Sequence, residues 1–373
     1  MLHSLTARSA PRVIGPMLLL VALGGGAARA ALPQLRSDSV FRLDVSAATP
    51  DPDSAAITTW LEAAGGWGFG RLQIDFSIDV VDADALAPKL ELVPNPGYYD
   101  GDCEPAGSVP LPAGGTVEGN PDYQCISGGD CHLLVHDVPS SLLYEAFVAD
   151  VTGGVFTATC LIEWNLLASY PPSGRGEGCT SADAAGFPIA PLLFDADEVA
   201  SGEIAHAIRF ILPNNRMRAA SYVHPASHYG APSAPSNSGA PIYGMRFRLR
   251  SDFPVASYPA PARVVLEALK KYGMFLADGG NIALTARSDR GTSAKWETVG
   301  LGSRDLDGVQ PSDFEVLLGD GPNPYQGPFA GRPPCVRNTV PEPESQALAW
   351  IAIGALVLLR RGARARSVSG AAT

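Results

Sequence analysis

The chain has 373 residues, 27 Lys+Arg against 38 Asp+Glu, a net charge of −11, 46% hydrophobic and 17% charged residues. That balance excludes a disordered chain and argues against a nucleic-acid binder. With 40 Gly and 33 Pro, many short strands joined by turns are expected rather than a helical bundle.

Residues 1–30 carry Arg8 and Arg12, an uncharged stretch from Val13 to Ala28, and then Ala28-Arg29-Ala30, a small-x-small cleavage site. This reads as a secretory signal peptide with Ala31 as the first mature residue. Residues 31–340 are expected to form one β-rich secreted domain. All the acids and only 20 of the Lys+Arg lie in residues 31–344, so the body is strongly acidic and should repel nucleic acid and anionic lipid.

Within the body, Leu72, Ile74, Phe76, Ile78 and Val80 alternate with Gln73, Asp75, Ser77 and Asp79, which predicts a half-buried strand with an acidic face. Strands are also expected over 132–138, 142–151, 155–164 and 204–212. Tyr229 to Pro241 reads as a long loop. Tyr243 to Arg250 repeats the alternation, with Arg246, Arg248 and Arg250 outward. The spacing of Val265, Leu266 and Leu269 predicts a helix over 262–272, stopped by Gly273, and two short strands follow. The fold class expected is mainly β: an antiparallel β-sandwich or jelly roll with one or two short helices, braced by disulfides, followed by a C-terminal transmembrane helix.

Six cysteines lie in the exported body, an even count that favours three disulfides. The expected pairs are Cys160 with Cys179, and Cys125 with either Cys103 or Cys131. Cys335 would then close the C-terminal end. No Cys-x-x-Cys, His-Glu-x-x-His, Gly-x-Ser-x-Gly, Walker A or dinucleotide motif occurs, so neither a cofactor nor a metal is expected.

The densest group of reactive side chains runs from Thr180 to Tyr229. If the protein is an enzyme, Asp183 and His206 would form an oriented base pair, with His228 as a second proton carrier and Tyr222 as another base. Asp75, His132, Arg209, His224 and Arg248 would bind substrate, the arginines gripping an anionic sugar. Asp75 and Asp79 on one strand would lie about 13 Å apart, too far for the paired carboxylates of glycoside hydrolysis. Catalysis requires several of these residues to meet in one cleft. The alternative, a non-catalytic adhesion or matrix protein that binds carbohydrate, requires exposed Trp60, Trp67 or Trp164 as a stacking platform.

Residues 341–373 read Pro341-Glu342-Pro343-Glu344, an apolar run from Ala347 to Leu359, and then Arg360, Arg361, Arg364 and Arg366. This tail resembles the PEP-CTERM sorting signal of Gram-negative exported proteins. The resemblance implies export machinery and an exosortase-type membrane protease as partners, with transport across the inner membrane, anchoring by the C-terminal helix, and release to the cell surface or matrix. Hosts of that signal usually make exopolysaccharide, which points the body toward polysaccharide, as a hydrolase or a lyase. The body, over roughly residues 70–317, also resembles a family of secreted bacterial and fungal proteins with no settled activity. That resemblance lies in segments such as Gly129-Asp130-Cys131-His132, Thr180-Ser181-Ala182-Asp183, Gly202 to Phe210, Tyr222 to His228, and Tyr272 to Asp278. It implies a shared pocket.

Overall fold

A computed structural model describes residues 31–319 and 334–335. After helix α1 (Ser54–Ala63) come strands β1 (Ile74–Ile78), β2 (Val81–Ala83), β3 (Lys89–Pro94) and β4 (Ser108–Pro110), then the short hairpin β5 (Thr116–Val117) and β6 (Asn120–Pro121). Strands β7 (Leu133–Asp137), β8 (Leu142–Phe147), β9 (Asp150–Thr152), β10 (Val155–Ala158) and β11 (Cys160–Asn165) follow, and then helix α2 (Ala196–Ser201). The last third holds β12 (Ile208–Leu212), β13 (Arg246–Leu249), α3 (Ala260–Lys271), β14 (Met274–Gly279), β15 (Leu284–Arg287), α4 (Trp296–Val299) and β16 (Phe314–Val316). The described protein is mainly β and braced by three disulfides. Among the described residues no helix is long and apolar enough to cross a membrane. The predicted signal peptide and C-terminal span lie outside them.

Six strands form one sheet in the order β1-β15-β12-β14-β13-β16. The sheet is mixed: β1 with β15 and β12 with β14 run parallel, so the expected antiparallel arrangement holds only in part. A parallel pair needs a long crossover, and the 61 residues between β12 and β14 supply it with β13 and α3. One face of the sheet is apolar because Ile74, Leu284, Phe210, Leu276 and Phe247 all project there. Trp67 packs edge-on against Phe210, Phe247 and Phe314 and donates its indole N–H to the Val309 carbonyl at 2.8 Å. Helix α3 buries Val265, Leu266 and Leu269 and ends at Gly273 (φ 69°), as its spacing predicts.

The opposite face is polar and differs from expectation. Arg246 and Arg248 do not point outward; both are buried beneath residues 40–48. Arg246 donates to the carbonyls of Val40, Leu43 and Tyr272, and Arg248 to those of Val45, Ser46 and Ala48 and to Glu315. The N-terminal segment has few ladder partners of its own, so the guanidinium forks satisfy its backbone. Asp79 also departs from the outward alternation. It is buried and accepts hydrogen bonds from Thr116 Oγ1, the Gly119 amide and Arg290, pinning the β5–β6 hairpin to the sheet.

Two four-stranded sheets, β4-β3-β10-β9 and β11-β8-β7-β2, draw their apolar faces into a second core around Leu92, Val109, Val135, Phe156 and Leu161. The predicted single strand over 155–164 is broken at Thr159 into β10 and β11, which belong to different sheets. That break sets the disulfides. Cys160 bonds to Cys103, and Cys179 to Cys335, which corrects the expected Cys160–Cys179 pair. Cys125 bonds to Cys131, one of the two partners expected.

The other face of β7, β8 and β11 carries Leu134, Leu143, Ile162 and Trp164 into the main core, with Glu145 among them at 0% exposure. This carboxylate accepts from the Ile189 and Ala190 amides and from Trp164 Nε1. Burial pushes it up to about 7. It fastens the 180–190 segment to the second sheet. Glu145→Ala strands three buried donors and is expected to lower stability by about 3 kcal/mol or more, while Glu145→Gln costs about 1 kcal/mol. Urea denaturation of both variants checks this, and equal losses would contradict it.

Candidate functional site

The polar end of the six-stranded sheet faces the second body of sheets across a cleft. Its first lobe, about 210 Å³, is lined by Asp75 on β1, Thr285 on β15, Arg209 on β12 and Asp278 on β14, opposite Glu118, Asp130 and His132. The second lobe, about 500 Å³, is lined by Tyr99, Asp102, Phe147, Ser181, Asn214, His228 and Tyr243. Asp130, Asp278 and Gly279 border both lobes and mark the waist of the cleft.

Register explains the row on the sheet. Asp75 pairs with Thr285, and Thr285 accepts a hydrogen bond from Arg209 at 3.1 Å. Strand alternation would send Asp278 to the apolar face with Met274 and Leu276. A bulge at Ala277 shifts the register, with Phe210 facing Leu276 but Ile211 facing Asp278, and the carboxylate turns to the cleft instead. Asp75 and Asp278 sit three strands apart, about 14 Å between backbones. Asp130, by contrast, borders both lobes together with Asp278.

Arg209 holds the site together. Its Nε and Nη2 reach Asp183 Oδ2 at 3.1 and 2.6 Å, and Nη2 lies 3.7 Å from Asp278. Asp183 is fully buried behind the wall and also accepts the Ala185 amide. Burial pushes the Asp183 carboxyl up to about 7 against the pull of Arg209, and burial likewise raises Asp278. Two carboxyls share one guanidinium, so the trio readily keeps a proton. The Asp278 side chain is a quarter exposed, so that proton is accessible from the cleft.

On the facing wall, His132 lies between Glu118 Oε1 at 2.5 Å and the Ala182 carbonyl at 3.0 Å. Both ring nitrogens must donate, so the ring is an imidazolium. Burial pulls His132 down, but its bond with Glu118 outweighs this and holds it above its usual value, and Glu118 is held below its own. Glu118 and Cys131 both adopt left-handed backbone, φ 41° and 47°, a cost met by the Asp79-anchored hairpin and the Glu118 bond to the Cys131 amide. His228 donates Nδ1–H to the Ala184 carbonyl at 3.0 Å, which leaves Nε2 as its basic nitrogen, and burial lowers its pKa.

Of the residues singled out in the sequence, Asp75, His132, Arg209 and His228 line the cleft, and Asp183 braces it from behind. The expected Asp183–His206 pair does not form. His206 binds Glu198 Oε1 at 3.0 Å and the Ala207 carbonyl at 2.9 Å, tying the first turn of α2 to the start of β12, and lines neither lobe. Tyr222 and His224 both bond to Glu177 beside the Cys179–Cys335 disulfide, also outside the cleft. Arg248 is held under the N-terminal segment. Sequence reasoning missed Glu118, Asp130, Tyr243 and Asp278 as site residues. The signal available for Asp278 was its place at the end of a wholly apolar strand, just before Gly279-Gly280.

Among the described residues, one group of potential metal ligands gathers closely: Asp102 with Cys179 and Cys335, whose sulfurs are joined in a disulfide. No family model, curated protein or solved structure matches the chain.

The buried ionisable groups fix a pH dependence. Glu145 and Glu163 are pushed by burial from 4.5 up to about 7, so their contribution is full below about pH 4.5 and is lost as pH rises toward 7. His132 and His206 are raised above 6.5, the latter because the Glu198 charge outweighs burial; their contribution is present below pH 6.5 and lost above it. Glu118, lowered from 4.5, opposes these only as pH falls below that value. The thermal midpoint is therefore expected to be highest near pH 4.5, to fall as pH rises toward 7, and to be several °C lower by about pH 8. Calorimetry across that range checks this, and a midpoint that rises with pH would contradict it.

Proposed function

We propose that the protein is an exported, surface- or matrix-directed polysaccharide hydrolase, with Asp278 as proton donor and Asp130 as the second carboxylate. The observation that carries this reading is the waist of the cleft, where both carboxyls border both lobes and burial raises Asp278. A chain threaded through the two lobes would have its glycosidic oxygen beside the Asp278 carboxyl. Asp278 gives its proton to the leaving oxygen, and the Asp130 carboxylate either attacks the anomeric carbon or deprotonates a water that does. Tyr99, 42% exposed and stacked on Phe147 at 6.3 Å, offers an aromatic face for a sugar ring in the second lobe.

Elimination from a uronate is supported less well. A lyase needs a cation for the uronate carboxylate, and the Arg209 charge is already matched by Asp183 and Asp278. Of the tryptophans expected to form the platform of the non-catalytic alternative, Trp67 and Trp164 are buried, and Trp60 is half-buried against the core. Three disulfides suit the oxidising compartment that a signal peptide and a PEP-CTERM-like tail imply. The paired four-stranded sheets, read as a small sandwich, would serve as a rigid second wall, and the C-terminal span as the anchor.

The test is release of reducing ends from a panel of neutral, acidic and amino-bearing polysaccharides by the full-length protein. Asp278→Asn and Asp130→Asn are each expected to lower kcat by about 10² to 10⁴, and Asp278→Asn to abolish the alkaline limb of the pH profile. Binding without hydrolysis by the unaltered protein would replace this reading with the adhesion one.

A further inference from the structure

The three disulfides differ in how solvent reaches them. Cys103, Cys131, Cys160, Cys179 and Cys335 are buried, at 4% exposure or less, whereas Cys125 is half-buried. The Cys125–Cys131 bond closes a ring of sequence separation 6, and every residue inside it, Ile126 to Asp130, is exposed. A thiolate exchanges with a disulfide by attacking one of its sulfurs, so access decides which bond reacts and at which end. Here Cys125 is the end open to attack, and Cys131 carries the leaving sulfur. The other two bonds close separations of 57 and 156. A disulfide constrains the unfolded chain more as its loop lengthens, so the Cys125–Cys131 bond is the one whose opening costs the fold least.

The leaving sulfur also has a donor beside it. Ser127 Oγ lies 4.0 Å from Cys131 Sγ and accepts a hydrogen bond from Asn120 Nδ2 at 3.1 Å, which leaves its own O–H for the sulfur. Hydrogen bonding to a thiolate favours the charged form, and a leaving thiol of lower pKa departs faster. The ring is in turn part of the cleft wall. Asp130 belongs to it and borders both lobes. Cys131, in left-handed backbone at φ 47°, donates its amide to Glu118 Oε2 at 3.0 Å, while Glu118 Oε1 holds His132. Such a conformation at a residue other than glycine persists where the surrounding contacts impose it, and the ring closure is one of them.

We propose that the Cys125–Cys131 disulfide is a thiol-exchange site that switches this wall of the cleft, with a dithiol as its reactant. One thiolate of the dithiol attacks Cys125 Sγ and forms a mixed disulfide. The electron pair of the broken bond passes to Cys131 Sγ, which takes up a proton. The second thiolate then attacks the reagent's own sulfur in the mixed disulfide, and Cys125 leaves and is protonated. The protein disulfide has gained two electrons and two protons, and the dithiol has become a disulfide. With the ring open, residues 126–131 lose their covalent closure, and Asp130 and the Glu118–Cys131 bond lose their fixed register. The reverse exchange with the oxidised reagent restores both. The exchange does not depend on the hydrolase reading; only its effect on turnover rests on it.

The experiment is timed reduction of the full-length protein with dithiothreitol, quenched with iodoacetamide and mapped by mass spectrometry. Cys125 and Cys131 should be alkylated at least about tenfold faster than the other cysteines, and a monothiol, glutathione, should be trapped on Cys125 and not on Cys131. Ser127→Ala should slow reduction of this bond about three- to tenfold without affecting the other disulfides, and Ser127→Thr should keep the original rate. In the reduced protein the amides of residues 126–131 should exchange hydrogen at least about tenfold faster. Equal reduction of all three disulfides, or glutathione on Cys131, overturns the exchange site. An unchanged rate in Ser127→Ala overturns the part given to its hydroxyl, and unchanged hydrogen exchange overturns the switch. Where polysaccharide is hydrolysed, turnover should fall on reduction and return on reoxidation. Absence of hydrolysis in both states overturns the hydrolase reading alone.

Discussion

The buried ion pair between Asp183 and Arg209 is the contact on which the cleft depends. It joins the 180–190 segment to the centre of the six-stranded sheet, and the same guanidinium reaches Thr285 on one neighbouring strand and Asp278 on the other. A buried pair of this kind gains little net stability over an apolar pair, because both charges are stripped of water. Its importance is geometric. The planar fork of arginine fixes three strands and one loop in a single orientation, and it does so beside the cleft rather than within the apolar core.

Around that contact the protein repeats one device. Segments that lack ladder partners are fastened by a buried charged side chain bonded to backbone groups: Glu145 to the 189–190 amides, Arg246 and Arg248 to the carbonyls of 40–48, and Asp79 to the Gly119 amide. Each meets a backbone group that would otherwise be stranded away from water. The many loops of a Gly- and Pro-rich chain are ordered by such clamps rather than by additional strands.

The local patterns were legible in the sequence. Alternation from Leu72 to Val80 and the helical spacing of Val265, Leu266 and Leu269 report the environment of neighbouring residues, and both hold apart from Asp79. Cys125 and Cys131 are close in sequence, and one turn brings them together. What was not legible depends on contacts between distant segments. Arg248 looks like an outward residue until a segment 200 residues earlier covers it with carbonyls. Cys160 looks like a partner for Cys179 until the break at Thr159 turns it to Cys103. His206 has the chemistry of a base, but Glu198, eight residues before it, captures it first. Asp278 was hidden by strand periodicity itself, since only the bulge at the preceding residue, Ala277, turns its side chain toward the cleft.

The way residues 40–48 are held bears on how the chain folds as it emerges. Residues 40–48 are gripped by arginines on β13, and Pro50 bridges to Leu317 near the other end of the described chain. Strand β1 takes its partner from β15. A chain released from its N-terminus can therefore complete neither the N-terminal docking nor the large sheet until about residue 317 is free. Contacts of such long range form slowly, because closing the chain precedes any gain from packing. Residues 40–48 and β1 wait for partners that come more than 190 residues later, while the second body, whose strands lie closer in sequence, is the part able to assemble first.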